Sequence, residues 1–379
     1  MLENNKKILF MKIFGIRITI DYSWFIIFFL ISWTLATQYF PRMMPGKTIL
    51  DYWMFSLVTS LMLFISVLIH ELSHSVVANR IGEKVSEITL FIFGGIAQIE
   101  KEPNEPLKEL KIAIAGPIAS LVIFLALFVF LWIFGNSISF EIYQVLYYIS
   151  MINLIIVIFN LIPAFPLDGG RLLRSFIWYF TKNLRKATLI ATGVGKFISY
   201  LMIILGVFQA FNGILISGIW YILIGMFLYQ AADYGNKQII YDFALKGIKV
   251  RDLMNTSFVY IDENTTLNAI IDDYFIKYRK NVLPVLKNDV FAGIISVDSL
   301  SDIDRTKLKE IGIEKITEPV NDSFTISPDE ETLNAVKKMI KNNIESLYVT
   351  EGARLVGVIS REEIMNLLKI KIQLRGHNI

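Results

Sequence analysis

The chain has 379 residues, of which 54% are hydrophobic, 13% aromatic and only 19% charged, with a net charge of +3. Its length allows two or three domains, and the near-balance of charge argues against nucleic acid as a partner. Cysteine is absent, which excludes disulfides, thiolate catalysis and cysteine-ligated metal.

In chain order, residues 22–41, 53–69, 112–140, 142–167 and 197–232 carry no Asp, Glu, Lys or Arg. A helix crosses the hydrocarbon with about 20 apolar residues. The runs predict spans near 22–40, 53–78, 112–134 and 142–162. The last and longest run, with the apolar stretch before it, divides at Asn212-Gly213 into 187–211 and 214–232. Six spans result. The first is too long for a signal peptide and lacks a small-residue cleavage site.

Lys6, Lys7, Lys12 and Arg17 precede the first span. Arg80, Lys84, Lys101, Lys108 and Lys111 follow the second, and Arg171, Arg174, Lys182, Arg185 and Lys186 follow the fourth. The opposite side holds only Arg42 and Lys47. Positive charge stays inside, so both termini are expected in the cytoplasm, with the chain multi-pass in the cell membrane and the bilayer as its surroundings.

Two elements of the first half have strand character. Ile13 through Ile20 alternates β-branched residues, and 88–99 is a second such segment; together they predict a small sheet at the cytoplasmic surface. Its free edge offers a place for an unwound peptide to add as a strand.

After Asp233 the composition turns polar, and 237–379 reads as a soluble domain attached to a membrane domain of 1–236. It contains an internal repeat. Ser257-Phe258 through Thr266-Leu267-Asn268-Ala269 returns 66 residues later as Ser323-Phe324 through Thr332-Leu333-Asn334-Ala335. Phe291-Ala292-Gly293-Ile294-Ile295-Ser296 likewise matches Leu355-Val356-Gly357-Val358-Ile359-Ser360. Each copy, about 246–304 and 312–371, reads as a strand, a helix, two strands and a helix. Neither is large enough to bury its apolar face alone, so the two are expected to pack together.

Two of the three histidines flank a glutamate in His70-Glu71-Leu72-Ser73-His74. Positions i and i+4 share a helix face, so both imidazoles can address one metal, with Glu71 placed to act on water beside it. The motif lies about 15 Å inside the end of its span at 1.5 Å per residue. Ionisable groups at that depth are costly unless paired or functional. A polar packing cluster or a transport path would not need this spacing. A catalytic zinc commonly takes three protein ligands and keeps one position open. His377, near the carboxyl end, is a poor third. Asp168 is better: Pro163 and Pro166 break the fourth span before it, and irregular backbone at membrane depth must line protein or a watery cavity.

With these residues in view, the chain resembles the site-2 protease family of intramembrane metalloproteases. The resemblance rests on His-Glu-x-x-His in the second of six spans and on Asn160-x-x-Pro163-x-x-Pro166-x-Asp168-Gly169-Gly170 after the fourth. Phe93-Gly94-Gly95 and Ala115-Gly116-Pro117 stand where that family has a membrane-embedded strand and the start of its third core helix. The carboxy-terminal repeats resemble the tandem cystathionine-β-synthase (CBS) domains that one branch carries. The resemblance implies one zinc per chain on His70, His74 and Asp168, Glu71 as general base, and Asn160 as a stabiliser of the oxyanion. An amide donor aimed at developing negative charge makes independent chemical sense. Asn153, seven residues earlier, shares a helix face with Asn160 and reads either as cavity lining or as an interhelical hydrogen bond.

The resemblance thus implies a polytopic α-helical membrane protein with a small sheet and an α/β CBS pair. Its activity would be zinc-dependent endoproteolysis of transmembrane substrate proteins, regulated by the pair. CBS pairs also suggest a homodimer. Nucleotide-binding CBS repeats usually set Asp three residues after a Ser or Thr hydroxyl. Here Ser296 is followed at that spacing by Ser299, which has no carboxylate, with Asp298 one position early, and Ser360 by Glu363, so an adenine nucleotide would have Glu363 alone to grip its ribose and only weak binding is expected. The competing architecture is a transporter or channel gated by the CBS pair, which ion flux in isolated vesicles would reveal.

Overall fold

The computed structural model describes residues 7–92, 94–99, 103–288, 290–301 and 312–375. The chain divides into two compact units, Met1–Lys237 and Gln238–Ile379. His377 and Phe93 lie outside the described residues.

The first unit opens with a hairpin, β1 (Lys7–Ile13) and β2 (Ile16–Asp21). Its two-residue turn, Phe14-Gly15, has φ of 49° and 83°, the mirror-image geometry that matches strand twist. Asp21 caps α1 (Tyr22–Thr34) by accepting from the Ser23 amide at 2.9 Å. A π-helical stretch with a wider turn (Leu35–Tyr39) and α2 (Phe40–Met43) complete the first span, Tyr22–Met43. α3 (Ile49–Arg80) begins four residues before the charge-free run. There Thr48 and Asp51 form a reciprocal capping box, with the Thr48 amide to Asp51 at 3.0 Å and the Asp51 amide to Thr48 Oγ1 at 3.2 Å.

β3 (Val85–Phe91) and β4 (Gly94–Ile99) follow. The sheet order is β1-β2-β3-β4, antiparallel except where β2 runs parallel to β3, as in Ile18 beside Ile88. Ile16 and Ile88 are buried from this sheet against Ala78 of α3 and Ile112 of the next helix. That helix, α4 (Pro106–Phe134), starts at Pro106 with its first turn outside the apolar run. Ala115-Gly116-Pro117 therefore lies within α4 rather than at its start.

α5 (Phe140–Asn160) ends at Asn160, two residues before the apolar run predicts. The residue preceding a proline resists helical dihedrals, so Ile162-Pro163 is excluded from the helix. A prolyl turn leads to α6 (Asp168–Thr181) and α7 (Leu184–Phe211), and the part of α8 (Leu215–Leu245) up to Lys237 closes the unit. α8 runs well past the last apolar residue of its span into charged sequence. α7 and α8 meet at backbone distance: a Cβ on Gly218 would lie 2.6 Å from the Gly206 carbonyl oxygen. Small residues of this kind let helices approach closely in lipid, where no hydrophobic force drives them together. The six spans are Tyr22–Met43, Ile49–Arg80, Pro106–Ser137, Phe140–Asn160, Leu184–Phe211 and Leu215–Leu245.

The second unit repeats one motif. β5 (Ile261–Asp262), α9 (Leu267–Ala269) with a helical continuation to Ile276, β6 (Val282–Lys287), β7 (Val290–Ser296) and α10 (Val297–Ser301) form the first copy. β8 (Glu318–Pro319) joins its sheet. β9 (Thr325–Ile326), α11 (Thr332–Lys341), β10 (Ser346–Glu351), β11 (Arg354–Ser360) and α12 (Arg361–Arg375) form the second. The hairpins share a register: Val285 faces Gly293, and Val349 faces Gly357. Leu286, Phe291 and Ile294 of the first copy pack with Phe324, Tyr348 and Leu355 of the second in one cluster. Ser296–Ser299 and Ser360–Glu363 are helix caps, with the Ser360 amide donating to Glu363 at 2.8 Å and the Glu363 amide to Ser360 Oγ at 3.2 Å.

Candidate metal centre

His70 and His74 sit on adjacent turns of α3, the part that packs on α4, and are 4% and 6% exposed. Asp168, the first residue of α6, is brought over them by the prolyl turn and is 8% exposed. Asp168 Oδ2 lies 3.1 Å from His70 Nε2 and 3.2 Å from His74 Nε2, and the two Nε2 atoms are 3.3 Å apart. Three donor atoms thus converge on one point from residues 98 positions apart.

The outer nitrogens are engaged. His74 Nδ1 is 2.6 Å from the Ile112 carbonyl oxygen. A carbonyl can only accept, so Nδ1 carries the proton and Nε2 presents its lone pair inward. His70 Nδ1 bonds Ser120 Oγ at 2.9 Å. Both rings are thereby oriented in the manner usual for metal-ligating histidines. A Cβ at Gly116 would run into both Nε2 atoms, so α4 can approach the pair only with glycine there. Two imidazole nitrogens and a carboxylate oxygen suit zinc, which takes three protein donors and keeps a fourth position open. Among the described residues this is the group of His, Asp and Glu that could hold a metal ion.

A cavity of about 800 Å³ opens beside the cluster, lined by His70, Glu71, His74, Asn160, Asp168 and Arg171. Gly95 of β4 abuts the Glu71 side chain so closely that a Cβ there would meet its Cγ. Asn160, at the last turn of α5, faces the same space. Asn153 does not line it: its Nδ2 donates to Ser66 Oγ of α3 at 3.1 Å and to the Ile149 carbonyl at 2.8 Å. It is an interhelical tie. Ser120 and the Ile112 carbonyl are not legible in the sequence, and Gly116 enters it only within the Ala115-Gly116-Pro117 motif, without its contact to the histidines. The single signal was a Gly-Pro pair in mid-helix, which local pattern reads as a helix boundary.

Six helices long and apolar enough to cross a membrane, a buried three-donor cluster and a cavity beside it define a polytopic membrane metalloenzyme. Comparison with known proteins is specific. The model of Peptidase family M50 matches residues 58–140 and 132–206, and that of the CBS domain matches 250–304 and 313–370. "Zinc metalloprotease MJ0392" of Methanocaldococcus jannaschii is 32% identical over 333 residues, 87% of this chain and 91% of its own. A Synechocystis relative whose name also carries "zinc metalloprotease" is 30% identical over 365 residues, 94% of each chain. The solved "Site-2 Protease from Methanocaldococcus jannaschii" is 34% identical and covers 61% of this chain and 95% of that one, with a TM-score of 0.45. The chain belongs to peptidase family M50 and is a zinc metalloprotease of the site-2 protease family carrying CBS domains.

Proposed function

We propose that the chain cuts transmembrane segments of membrane proteins within the bilayer, at a centre where His70, His74 and Asp168 hold one zinc. The observation carrying this reading is the convergence of three buried donors with Glu71 and Asn160 on one cavity inside the six-span unit. Zinc bound there supplies a Lewis acid that acidifies water and polarises the peptide carbonyl. Glu71, beside the ligands without being one, accepts the proton from the attacking water and returns it to the departing amine. Asn160 donates its side-chain amide to the oxygen that becomes negative. The outer edge of β4, unpaired among the described residues and contributing Gly94 to Ala97 to the cavity wall, receives the unwound substrate as an added strand.

The chain is multi-pass in the cell membrane with both termini cytoplasmic, and the CBS pair regulates it and mediates a homodimer. Capping roles for Ser360 and Glu363 count against adenine nucleotide as the regulator. The test is zinc analysis coupled to cleavage of a model membrane peptide by wild type and by Glu71→Gln. Zinc with cleavage in the first and zinc without cleavage in the second supports the reading. Cleavage by Glu71→Gln at the wild-type rate overturns it.

A further inference from the structure

The turn that presents Asp168 makes few bonds of its own. The Ala164 amide reaches the Ile162 carbonyl at 2.7 Å, the Leu167 amide reaches the Ala164 carbonyl at 2.8 Å, and Leu167 gives α6 no side-chain cap. What fixes this turn is Phe165, three residues before Asp168. Its backbone abuts Gly170 and Gly195, and its ring lies against Gly235, so that a Cβ at any of the three would strike it. Three helices, α6, α7 and α8, thus each offer a glycine to one phenylalanine.

The open face of the ring is covered by Arg174, whose guanidinium carbon is 5.3 Å from the ring centroid. That guanidinium is itself anchored: Nε donates to Glu109 Oε1 of α4 at 2.7 Å, and Nη2 pairs with the same oxygen. Arg174 is 7% exposed and Glu109 1%. A planar, stacked and bonded guanidinium is not replaceable by an ammonium. α4 is also the helix whose Ile112 carbonyl and Ser120 orient the two histidines. One helix therefore holds the imidazoles directly and the carboxylate through Arg174 and Phe165.

From this geometry we infer that Phe165 and Arg174, anchored by Glu109, are positioning residues that set Asp168 against His70 and His74. The inference rests on the proposed reading of Asp168 as a zinc ligand. Metal affinity responds to such outer supports by about 10–100-fold.

The experiment measures the zinc dissociation constant of the full chain in nanodiscs by chelator competition, alongside the visible spectrum of the cobalt-loaded protein and the unfolding temperature without metal. Phe165→Leu and Arg174→Lys are each expected to weaken zinc about 10–100-fold and to alter the cobalt spectrum at saturation. Phe40→Leu, a fully buried site away from the cluster, is the control: it should lower the unfolding temperature yet leave affinity and spectrum as in wild type. Should Phe165→Leu not fold, Arg174→Lys carries the comparison. Wild-type affinity and spectrum in both variants, or an equal loss in Phe40→Leu, overturns the inference. No zinc in wild type, or undiminished affinity in Asp168→Ala, instead overturns the assignment of Asp168.

Discussion

Glu71 differs from its two histidine neighbours in one respect that chemistry can read: it lines the cavity but does not join the cluster of donor atoms. Glu71→Gln should therefore retain zinc while losing a factor of about 10²–10⁴ in cleavage rate, checked by metal analysis and peptide assay on the same sample. Asp168→Ala should instead lower zinc occupancy, since it removes a donor. Gly116→Ala should do so too, for a steric reason: the new methyl occupies the space of both Nε2 atoms. The histidine pair was legible because one helix carries it at a local spacing. Glu109 and Arg174 were not, because they meet across 65 residues and look, in sequence, like ordinary loop charges. Arg174 even entered the tally of basic residues used to orient the chain, although it is spent on a buried ion pair.

At the scale of elements, helix ends departed from hydropathy wherever a cap or a proline set the boundary. The capping box of Thr48 and Asp51 draws α3 outward, and Pro163 cuts α5 short. Hydropathy marks what a bilayer tolerates, whereas capping marks where backbone amides find partners. The same logic assigns Glu363 a structural task in the second unit. Glu363→Ala should destabilise the CBS pair by about 1 kcal/mol, read from denaturant unfolding, because α12 loses one arm of its cap. The element order of the 66-residue repeat was legible, since both copies run strand–helix–strand–strand–helix with the same hairpin register, but β8, inside the second copy's expected bounds, pairs with the first copy's sheet.

For the molecule as a whole, the division at Lys237 separates a unit that contains every donor of the metal cluster from one that contains none of them. Removing residues from Gln238 onward should leave zinc content unchanged while altering the rate of cleavage; loss of zinc on truncation would join the two units in one centre. A transmembrane helix hides its carbonyls in internal hydrogen bonds, so a substrate of the proposed kind would have to unwind before it is attacked. Replacing Gly, Pro or Asn near the cut with Leu should slow cleavage without weakening insertion, since those residues loosen the helix. Product masses should place the cut in the cytoplasmic half of the substrate span.

Among the described residues no strand pairs with the outer margin of β4. Main-chain bonding to that margin is blind to side chains, yet an extended guest turns alternate side chains to opposite sides. On a strand added as proposed, one set would face the wall of the 800 Å³ cavity and the other would turn away from it. Substrate preference should then oscillate with a beat of two along the guest, strong and weak by turns, instead of the 3.6-residue rhythm a bound helix would impose. A scan of bulky residues through a model substrate would display that rhythm, and N-methylation of single guest amides would mark which bonds hold it.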